Sequence, residues 1–394
     1  MIWLKKYNVI LIMAMLIIII LLTACIDRTN VDNFIPNESI PAMNEVEKSS
    51  EISADEVIEE PQARMYEGDL ELPVVGATGF TSISLDLKEF PKSDSETIDI
   101  FEAGTAFEIL REEGDWWFIK RGDLAGWLQH NYTFINLPDV IPSIIYDNTN
   151  TYSSKFVSSG KDIPNISNRV LYPGKTYNER LESEEYIMPV LYSMSKKVHL
   201  AQQLALSEGN SLKIYEGFRP YSVQKAVVEG LSKLADDDPE VMTGINTLPW
   251  GINWFITDGV SNHQMGYGID LSLVKINSKK EVPIGEYTRV LIKDYMEYAM
   301  PTQIHELSGA SAVFTTPVSS QNAIDWKTAT YTDSMNEAAI KLQTYATTAG
   351  LTPLASEWWH FNDLDARDET AHNSSDGDYL LTEIYSSSPL IGDN

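Results

Sequence analysis

The feature that most constrains this chain is the stretch SNHQMGYGID, which runs from Ser261 to Asp270 and places His263 seven positions before a carboxylate. From Gly268 onward, apolar and polar residues alternate, which is the period of a half-buried strand. Glycines at positions 266 and 268 permit tight or left-handed backbone. A turn at these glycines would bring His263 back beside Asp270.

A second imidazole and a second carboxylate occur much later in the chain, in the run Glu357-Trp-Trp-His360-Phe. Together, His263, Asp270 and His360 offer nitrogen, oxygen and nitrogen ligands, and catalytic zinc sites use three such protein ligands. Glu357 is then the free carboxylate that takes a proton from water. The spacing of Glu357 and His360 fits one turn of helix or a kinked strand, because a regular strand would put the two side chains on opposite faces; in a strand, the sequence therefore predicts a local irregularity. Non-haem iron uses the same ligand set, so it stays open beside zinc.

The ordered pattern S-x-H-x-x-G-x-G-x-D and E-x-W-H resembles the zinc D-Ala-D-Ala dipeptidases of the VanX type, within the wider group of DD-peptidases and Hedgehog-like zinc folds. The segment Tyr215-Glu-Gly-Phe-Arg219-Pro-Tyr resembles the arginine loop of that family. The similarity runs from about Asn136 to Asp363. It implies an α+β zinc domain, with an antiparallel sheet and helices, that holds one Zn²⁺ per chain.

The resemblance also implies roles for three further residues. Arg219 would stabilise the oxyanion that forms on the scissile carbonyl, and its alternative is an ordinary ion pair. Ser261 would hydrogen-bond substrate, and its alternative is to cap a turn. His305 stands where the dipeptidases carry an aspartate that holds the free amino group of the dipeptide. This departure puts recognition of a free N-terminus in doubt, although Glu306 is a candidate substitute.

The N-terminus reads as a targeting segment. Lys5 and Lys6 precede an almost wholly apolar run, and Leu-Thr-Ala-Cys25 resembles a bacterial lipobox. This predicts lipidation of Cys25 and an extracytoplasmic protein anchored in the cell membrane by lipid; an uncleaved membrane anchor is the alternative. Cys25 is the only cysteine, which excludes an intrachain disulfide. The net charge of −28 argues against nucleic acid as a partner.

Short strand patterns between Tyr66 and Pro138 predict a small all-β module, and its Gly-Asp-Trp116-Trp117 and Gly-Trp127 motifs resemble a bacterial SH3-like barrel. Such a module would bind cell wall or simply pack on the next domain. Further along, residues 284–300 look helical, with a hairpin turn at 277–280 before them. The predicted division is a lipoprotein signal peptide at 1–25, an acidic disordered tether at 26–64, an SH3-like domain at 65–138, a zinc D-Ala-D-Ala peptidase domain at 139–365 and a flexible tail at 366–394.

The sequence therefore predicts a membrane-tethered zinc metallopeptidase, a D-alanyl-D-alanine dipeptidase of cell-wall peptidoglycan metabolism. Its partner would be a D-Ala-containing peptide. Two alternatives remain. One is a D,D-carboxypeptidase that acts on peptidoglycan stem peptides. The other is a non-catalytic wall-binding lipoprotein that keeps the peptidase fold as a scaffold, although such a scaffold has no need of a general base at Glu357.

Overall fold

A computed structural model describes residues 63–389 of the chain. The signal peptide with Cys25 and nearly all of the predicted tether lie outside these described residues. The strands within them are β1 Thr78–Thr81, β2 Leu85–Lys88, β3 Thr97–Phe101, β4 Ala106–Glu113, β5 Trp116–Arg121, β6 Leu124–Gln129, β7 Thr133–Asn136, β8 Ile145–Tyr146, β9 Val157–Ser158, β10 Lys161–Asp162, β11 Lys175–Asn178, β12 Ser183–Tyr186, β13 Pro189–Leu191, β14 Asn210–Glu216, β15 Gly268–Ile284, β16 Tyr287–Glu297, β17 Thr352–Leu354 and β18 Glu357–Asn362.

Six α-helices accompany these strands in the described part of the chain. They are α1 Leu137–Val140, α2 Tyr192–Ser207, α3 Tyr221–Asp237, α4 Pro239–Asn246, α5 Glu337–Thr348 and α6 Leu364–Glu369. With two large, mainly antiparallel sheets and two small ones, β9–β10 and β11–β12, the described residues have an α+β architecture, as the sequence predicted. None of the helices in residues 63–389 is both long and apolar enough to cross a membrane.

The N-terminal sheet has eight strands in the order β13-β7-β1-β4-β5-β6-β2-β3, and every pairing in it is antiparallel. Its inner face is apolar and includes Phe80, Phe107 and Trp117, each with no exposed surface. Strand β13 comes from beyond residue 138, and one hydrophobic core continues from this sheet into the rest of the described chain. The division of the chain at residue 138 stays a prediction, but the segments on its two sides pack together.

The second sheet has the order β17-β18-β15-β14-β8, with β16 paired to the far half of β15. Only the β14–β8 pair is parallel. Helix α2 packs on β14 and on α5, which also contacts β15. Gly209 and Gly350 follow these two helices with φ of 74° and 94°, the left-handed conformation in which many helices end. At the start of α5, the Asn336 side chain accepts a 3.0 Å bond from the backbone N–H of Ala339.

Two local predictions were wrong. Residues 287–297 form strand β16 rather than a helix, and β15 continues through the proposed turn at 277–280 as far as Ile284. The hairpin turns instead at Gly285, whose φ is 53°. The sequence of β16 suits a helix as well as a strand, and cross-strand pairing with β15 decided between them.

The segment after α6 has no regular secondary structure in its described part, yet it packs on the rest of the protein. Tyr379 stacks on Phe218 with ring centroids 5.0 Å apart, and Ser386 is buried against Thr78. As far as residue 389, the chain therefore differs from the loose tail that its composition suggested.

Candidate metal centre

The site is built on two neighbouring strands. Asp270 of β15 lies directly opposite His360 of β18 in the antiparallel register. Directly opposed residues have their side chains on one face and their Cβ atoms about 5 Å apart. The strand predicted from the alternation after Gly268 is therefore confirmed, and it places Asp270 beside His360.

His263 reaches the same place from a tight loop before β15. The backbone N–H groups of Tyr267 and Gly268 both donate to the carbonyl of Asn262, which folds the loop back on itself. Gly266 has φ of 77°, and an added Cβ there would lie 2.2 Å from the ring of Phe134. Both conformation and space therefore require glycine at 266, and the predicted turn is confirmed.

Three potential ligand atoms converge on one point. His360 Nδ1 lies 3.0 Å from Asp270 Oδ1 and 3.2 Å from His263 Nε2, and His263 Nε2 lies 3.5 Å from Asp270 Oδ1. Four ligands held tetrahedrally at about 2.0–2.1 Å from one zinc ion lie about 3.3 Å from one another. The three separations therefore match three corners of such a coordination shell.

Hydrogen bonds behind the two imidazoles fix which ring nitrogen carries the proton. His263 Nδ1 donates to the carbonyl of Gly217 at 2.7 Å, and His360 Nε2 donates to Asn362 Oδ1 at 2.9 Å. The Asn362 amide is itself oriented by Asn262 Nδ2, 2.6 Å from the same oxygen. The inner nitrogens, His263 Nε2 and His360 Nδ1, are then lone pairs aimed at the shared point, as in metal-binding histidines.

The charge states also suit a cation. Burial lowers the pKa of His263, against the opposing attraction of Asp270, so the imidazole stays neutral. Burial alone would raise the pKa of Asp270, but its imidazole neighbours, among them the His305 Nε2–H that donates to Oδ2, outweigh this and hold that pKa well below its usual range. A neutral imidazole and an ionised carboxylate are the ligand forms that bind metals. These buried side chains can hold a metal ion.

Glu357 lies beside this cluster because the pairing of β17 with β18 is interrupted. Leu354 pairs with Glu357, whereas its neighbour Pro353 pairs with Phe361. The predicted irregularity is thus confirmed, and it brings Glu357 Oε2 to 3.9 Å from His360 Nδ1. Burial, followed by repulsion from Asp270, raises the pKa of Glu357 well above its usual range, although Arg219 opposes the rise. A carboxyl group with a raised pKa beside a cleft has the character of a general base or acid.

Arg219 is buried and held from two sides. Its Nη1 is ion-paired with Glu216 Oε2, and its Nε donates to Gln224 Oε1 at 3.0 Å. The guanidinium also lies over the ring of Phe156, 5.4 Å from the centroid. Glu216 is the strand neighbour of Asp270, so the arginine is anchored one strand away from the cluster. The structure therefore places a fixed cation at the cleft, in an ion pair that is buried rather than on the surface.

The cluster opens into a cleft with a volume of about 340 Å³. Ser261 lines it, and its hydroxyl donates to Gln264 Oε1 at 2.7 Å while its backbone N–H bonds the same oxygen. This is the turn-capping arrangement, and lone pairs remain on the hydroxyl. Trp359 also lines the cleft, whereas Trp358 is buried with its Nε1 bonded to Thr302. The remaining lining is mostly apolar or uncharged and includes Asn253, Trp254, Ile256, Val260 and Gln321.

His305 lies behind Asp270. The His305 ring is only 1% exposed, and its Nε2 is 3.1 Å from Asp270 Oδ2, the carboxylate oxygen that faces away from His360. His305 also lines the cleft, and its predicted contact with substrate stays a prediction. The carboxylate of Glu306 accepts hydrogen bonds from the backbone N–H groups of Ser159 and Gly160, at 2.6 and 2.9 Å, so it is held away from the cleft.

Sequence reasoning missed three supporting groups. Asn362 follows His360 by two positions in a strand, which puts both on one face and was a usable signal. Glu216 precedes Arg219 by three positions at the end of a strand pattern, and the opposite charge was a weaker signal. The Gly217 carbonyl is a backbone group of no particular residue type, so no sequence signal could have found it.

We compared the chain with models of known protein families and with characterised proteins. No family model matches the chain, and no characterised protein matches it.

Proposed function

We propose that this chain is a zinc metallopeptidase that hydrolyses D-Ala-D-Ala-type peptides of the bacterial cell wall. The observation that carries the proposal is the convergence of His263 Nε2, Asp270 Oδ1 and His360 Nδ1 at 3.0–3.5 Å separations beside a free carboxylate. A structural histidine cluster would use its nitrogens as hydrogen-bond donors to oxygen. Here two deprotonated nitrogens face each other, which is the arrangement of ligands around a cation.

Zinc suits this donor set best, since two imidazoles and one carboxylate leave the fourth tetrahedral position open. A bound zinc ion would supply Lewis acidity, which acidifies water and polarises a carbonyl oxygen. Iron in a two-histidine, one-carboxylate site is the chemical alternative. Elemental analysis of the protein as isolated distinguishes the two metals.

The chain's own residues supply the remaining chemistry. Glu357, whose Oε2 lies 3.9 Å from His360 Nδ1, takes a proton from the attacking water and delivers it to the leaving amine. Arg219 stabilises the negative charge that develops on the scissile carbonyl, and its pairing with Glu216 and Gln224 fixes the guanidinium in advance. The Ser261 hydroxyl keeps acceptor capacity for a substrate N–H.

The resemblance to VanX-type dipeptidases supports this substrate class and a Hedgehog-like zinc domain. The separate resemblance of residues 65–138 to a bacterial SH3-like domain supports a barrel before it. On the same proposal, the chain is held outside the cytoplasm by a lipid on Cys25, and the barrel binds cell wall. Peptide stems of peptidoglycan are then the nearest D-Ala-containing substrates, because a protein in that place has no access to a cytoplasmic dipeptide pool.

One observation favours a D,D-carboxypeptidase over a dipeptidase. The carboxyl groups that line the cleft are Asp270 and Glu357, and both are assigned to the centre itself. His305 is engaged with Asp270, and Glu306 is held by backbone N–H groups. The described cleft therefore has no further carboxylate for a free ammonium group. A stem peptide, whose penultimate residue is N-acylated, needs none.

The test compares D-alanine release from free D-Ala-D-Ala and from a stem pentapeptide by the zinc-loaded full chain. Glu357→Gln should keep its zinc and lose turnover about 100- to 10,000-fold. The matched control is Glu113→Gln, at the exposed end of β4, which should behave as wild type. Release from the pentapeptide alone selects the carboxypeptidase, and release from the dipeptide selects the dipeptidase. A zinc-bound protein that releases D-alanine from neither would overturn this substrate class and favour the wall-binding scaffold.

A further inference from the structure

We propose that His305 is a positioning residue that holds the outer oxygen of Asp270, so that this carboxylate offers one oxygen, Oδ1, to the metal. The inference rests on the metal centre of the proposed function, but not on the choice of substrate. It assigns to His305 a task at the centre itself, in place of a contact with substrate.

The two oxygens of Asp270 have different neighbours. Oδ1 faces His360 Nδ1 at 3.0 Å and His263 Nε2 at 3.5 Å, whereas Oδ2 lies 3.1 Å from His305 Nε2. A hydrogen bond to Oδ2 fixes the rotation of the carboxylate about its Cβ–Cγ bond. It also occupies the oxygen that would otherwise swing towards the ion and make the carboxylate bidentate. Outer partners of this kind orient metal ligands.

The His305 ring is held tightly for this task. It stacks on Phe156 at a centroid distance of 4.4 Å and an interplanar angle of 16°, and it meets Tyr215 and Trp359 edge-on at 6.4 and 6.1 Å. Its Nδ1 has no hydrogen-bond partner among the described residues, so the bond to Asp270 is the ring's single polar contact. The backbone of His305 has φ of 61°, a left-handed conformation that non-glycine residues adopt rarely and that clusters at functional sites.

A different role for His305 is geometrically open. Ligand atoms of Glu216, Asp270 and His305 also lie within 4.8 Å of one another, close enough to hold a second ion with Asp270 as the bridge. However, Glu216 Oε1 already accepts from Asn150 and Tyr172, at 2.6 and 3.0 Å, and its Oε2 is ion-paired with Arg219. A second cation there would have to displace the guanidinium. The contacts therefore favour His305 as a donor to Asp270 over His305 as a ligand.

The test uses the full chain and three variants. His305→Phe keeps the ring packing and removes the donor. His305→Gln keeps a side-chain N–H at similar reach. His130→Phe is the matched control. His130 is also packed against aromatic rings, those of Trp117 and Tyr192, but its Nε2 contacts the Gly114 carbonyl at 2.9 Å and Glu112 at 3.6 Å, and neither group belongs to the metal centre. Zinc affinity is measured by competition with a chelator, zinc content per chain by elemental analysis, and coordination number from the absorption of the Co²⁺-substituted protein.

We expect one zinc per wild-type chain and a zinc Kd raised about 10- to 100-fold by His305→Phe, the usual effect of losing an outer partner. The absorption of the Co²⁺-substituted variant should become weaker, because Asp270 would bind through both oxygens and make the ion five-coordinate. His305→Gln should recover most of the affinity, and His130→Phe should change nothing. If His305→Phe fails to fold, His305→Gln carries the test. A zinc Kd within a few-fold of the wild-type value, together with an unchanged Co²⁺ spectrum, still supports the donor role.

Three results would overturn the inference. The first is an unchanged Kd in folded His305→Phe. The second is two ions per wild-type chain with one lost in that variant, which would make His305 a ligand. The third is the absence of metal binding by wild type, which also removes the proposed function. Metal binding without D-alanine release removes only the proposed function and leaves the inference to be judged on the affinities.

Discussion

Two buried aspartates, one in each sheet region, differ in what surrounds them. Asp139 of α1 is fully buried beside the N-terminal sheet, and its oxygens accept from the Thr78 N–H at 2.9 Å, the Ser386 hydroxyl at 2.7 Å and the Asn178 amide at 2.6 Å. Asp270 is buried to almost the same extent, yet its Oδ1 faces imidazole nitrogens whose protons point elsewhere.

The difference separates a structural carboxylate from a ligand. A buried anion is tolerated when hydrogen-bond donors or a cation surround it. Neutral donors from three separate segments of the chain meet this need at Asp139 and tie those segments together. At Asp270, Oδ2 has a hydrogen-bond donor, whereas Oδ1 is placed to bind a cation. This buried carboxylate therefore serves metal binding rather than the cohesion of the fold.

The largest expected effect is on zinc affinity, which should depend on Asp270 and not on Asp139. Asp270→Asn should raise the zinc Kd by more than about 100-fold, above the range typical of an outer partner, because it removes an ionised ligand. Asp139→Asn should leave the Kd within about two-fold of wild type, since its contacts are all with neutral donors. Chelator competition on both proteins makes the measurement. Equal losses of zinc affinity would erase the distinction.

Stability should rank the same two variants in the opposite order. Asp139→Asn places an amide donor among three donors and should lower the free energy of unfolding by about 1–3 kcal/mol. In the zinc-free protein, Asp270→Asn should lower it less, because an amide can donate to the lone pairs of His263 and His360. Urea denaturation in the presence of a chelator tests this. A larger loss for Asp270→Asn would mean that this aspartate is chiefly structural.

The outer hydrogen bonds provide a finer test of the metal centre. Asn362→Leu removes the acceptor for His360 Nε2–H and should raise the zinc Kd about 10- to 100-fold. Its matched control is Asn178→Leu, which removes a donor to Asp139 and should reduce stability with no change in zinc affinity. The reverse pattern of losses would show that the Asn362 amide packs the core without orienting His360.

A third carboxyl group, that of Glu71, tests whether neutral hydrogen-bond donors alone can offset the effect of burial on the charged form. Glu71 accepts from the Ser143 N–H, the Ser143 hydroxyl and the Gln203 amide, but burial still raises its pKa from 4.5 to about 7. The folded state therefore binds a proton more tightly than the unfolded state, and stability from Glu71 is full below pH 4.5 and is lost as the pH rises to about 7.

The loss should amount to about 1 kcal/mol, reduced from the full value of the shift because the Glu71 residue is partly exposed. Glu71→Gln should flatten that part of the curve of unfolding free energy against pH between 4.5 and 7. An unchanged slope in this variant would assign the pH dependence to other groups.

The sequence by itself determined much of the site. The alternation after Gly268 predicted the strand that carries Asp270, and the three-residue spacing of Glu357 and His360 required the interruption seen in β18. These features are readable because period and spacing act within a few residues. The ends of the helices before Gly209 and Gly350 carry the same kind of local signal, a glycine in left-handed backbone.

Only the tertiary structure decided which groups surround those side chains. The sequence of β16 suits a helix and a strand equally well, and this segment is a strand because it pairs with β15. The proton positions on His263 and His360 depend on the Gly217 carbonyl and on Asn362, and the contact of His305 with Asp270 joins residues 35 positions apart. A sequence records which chemical groups are available, whereas burial and long-range pairing determine which of them meet and in what protonation state.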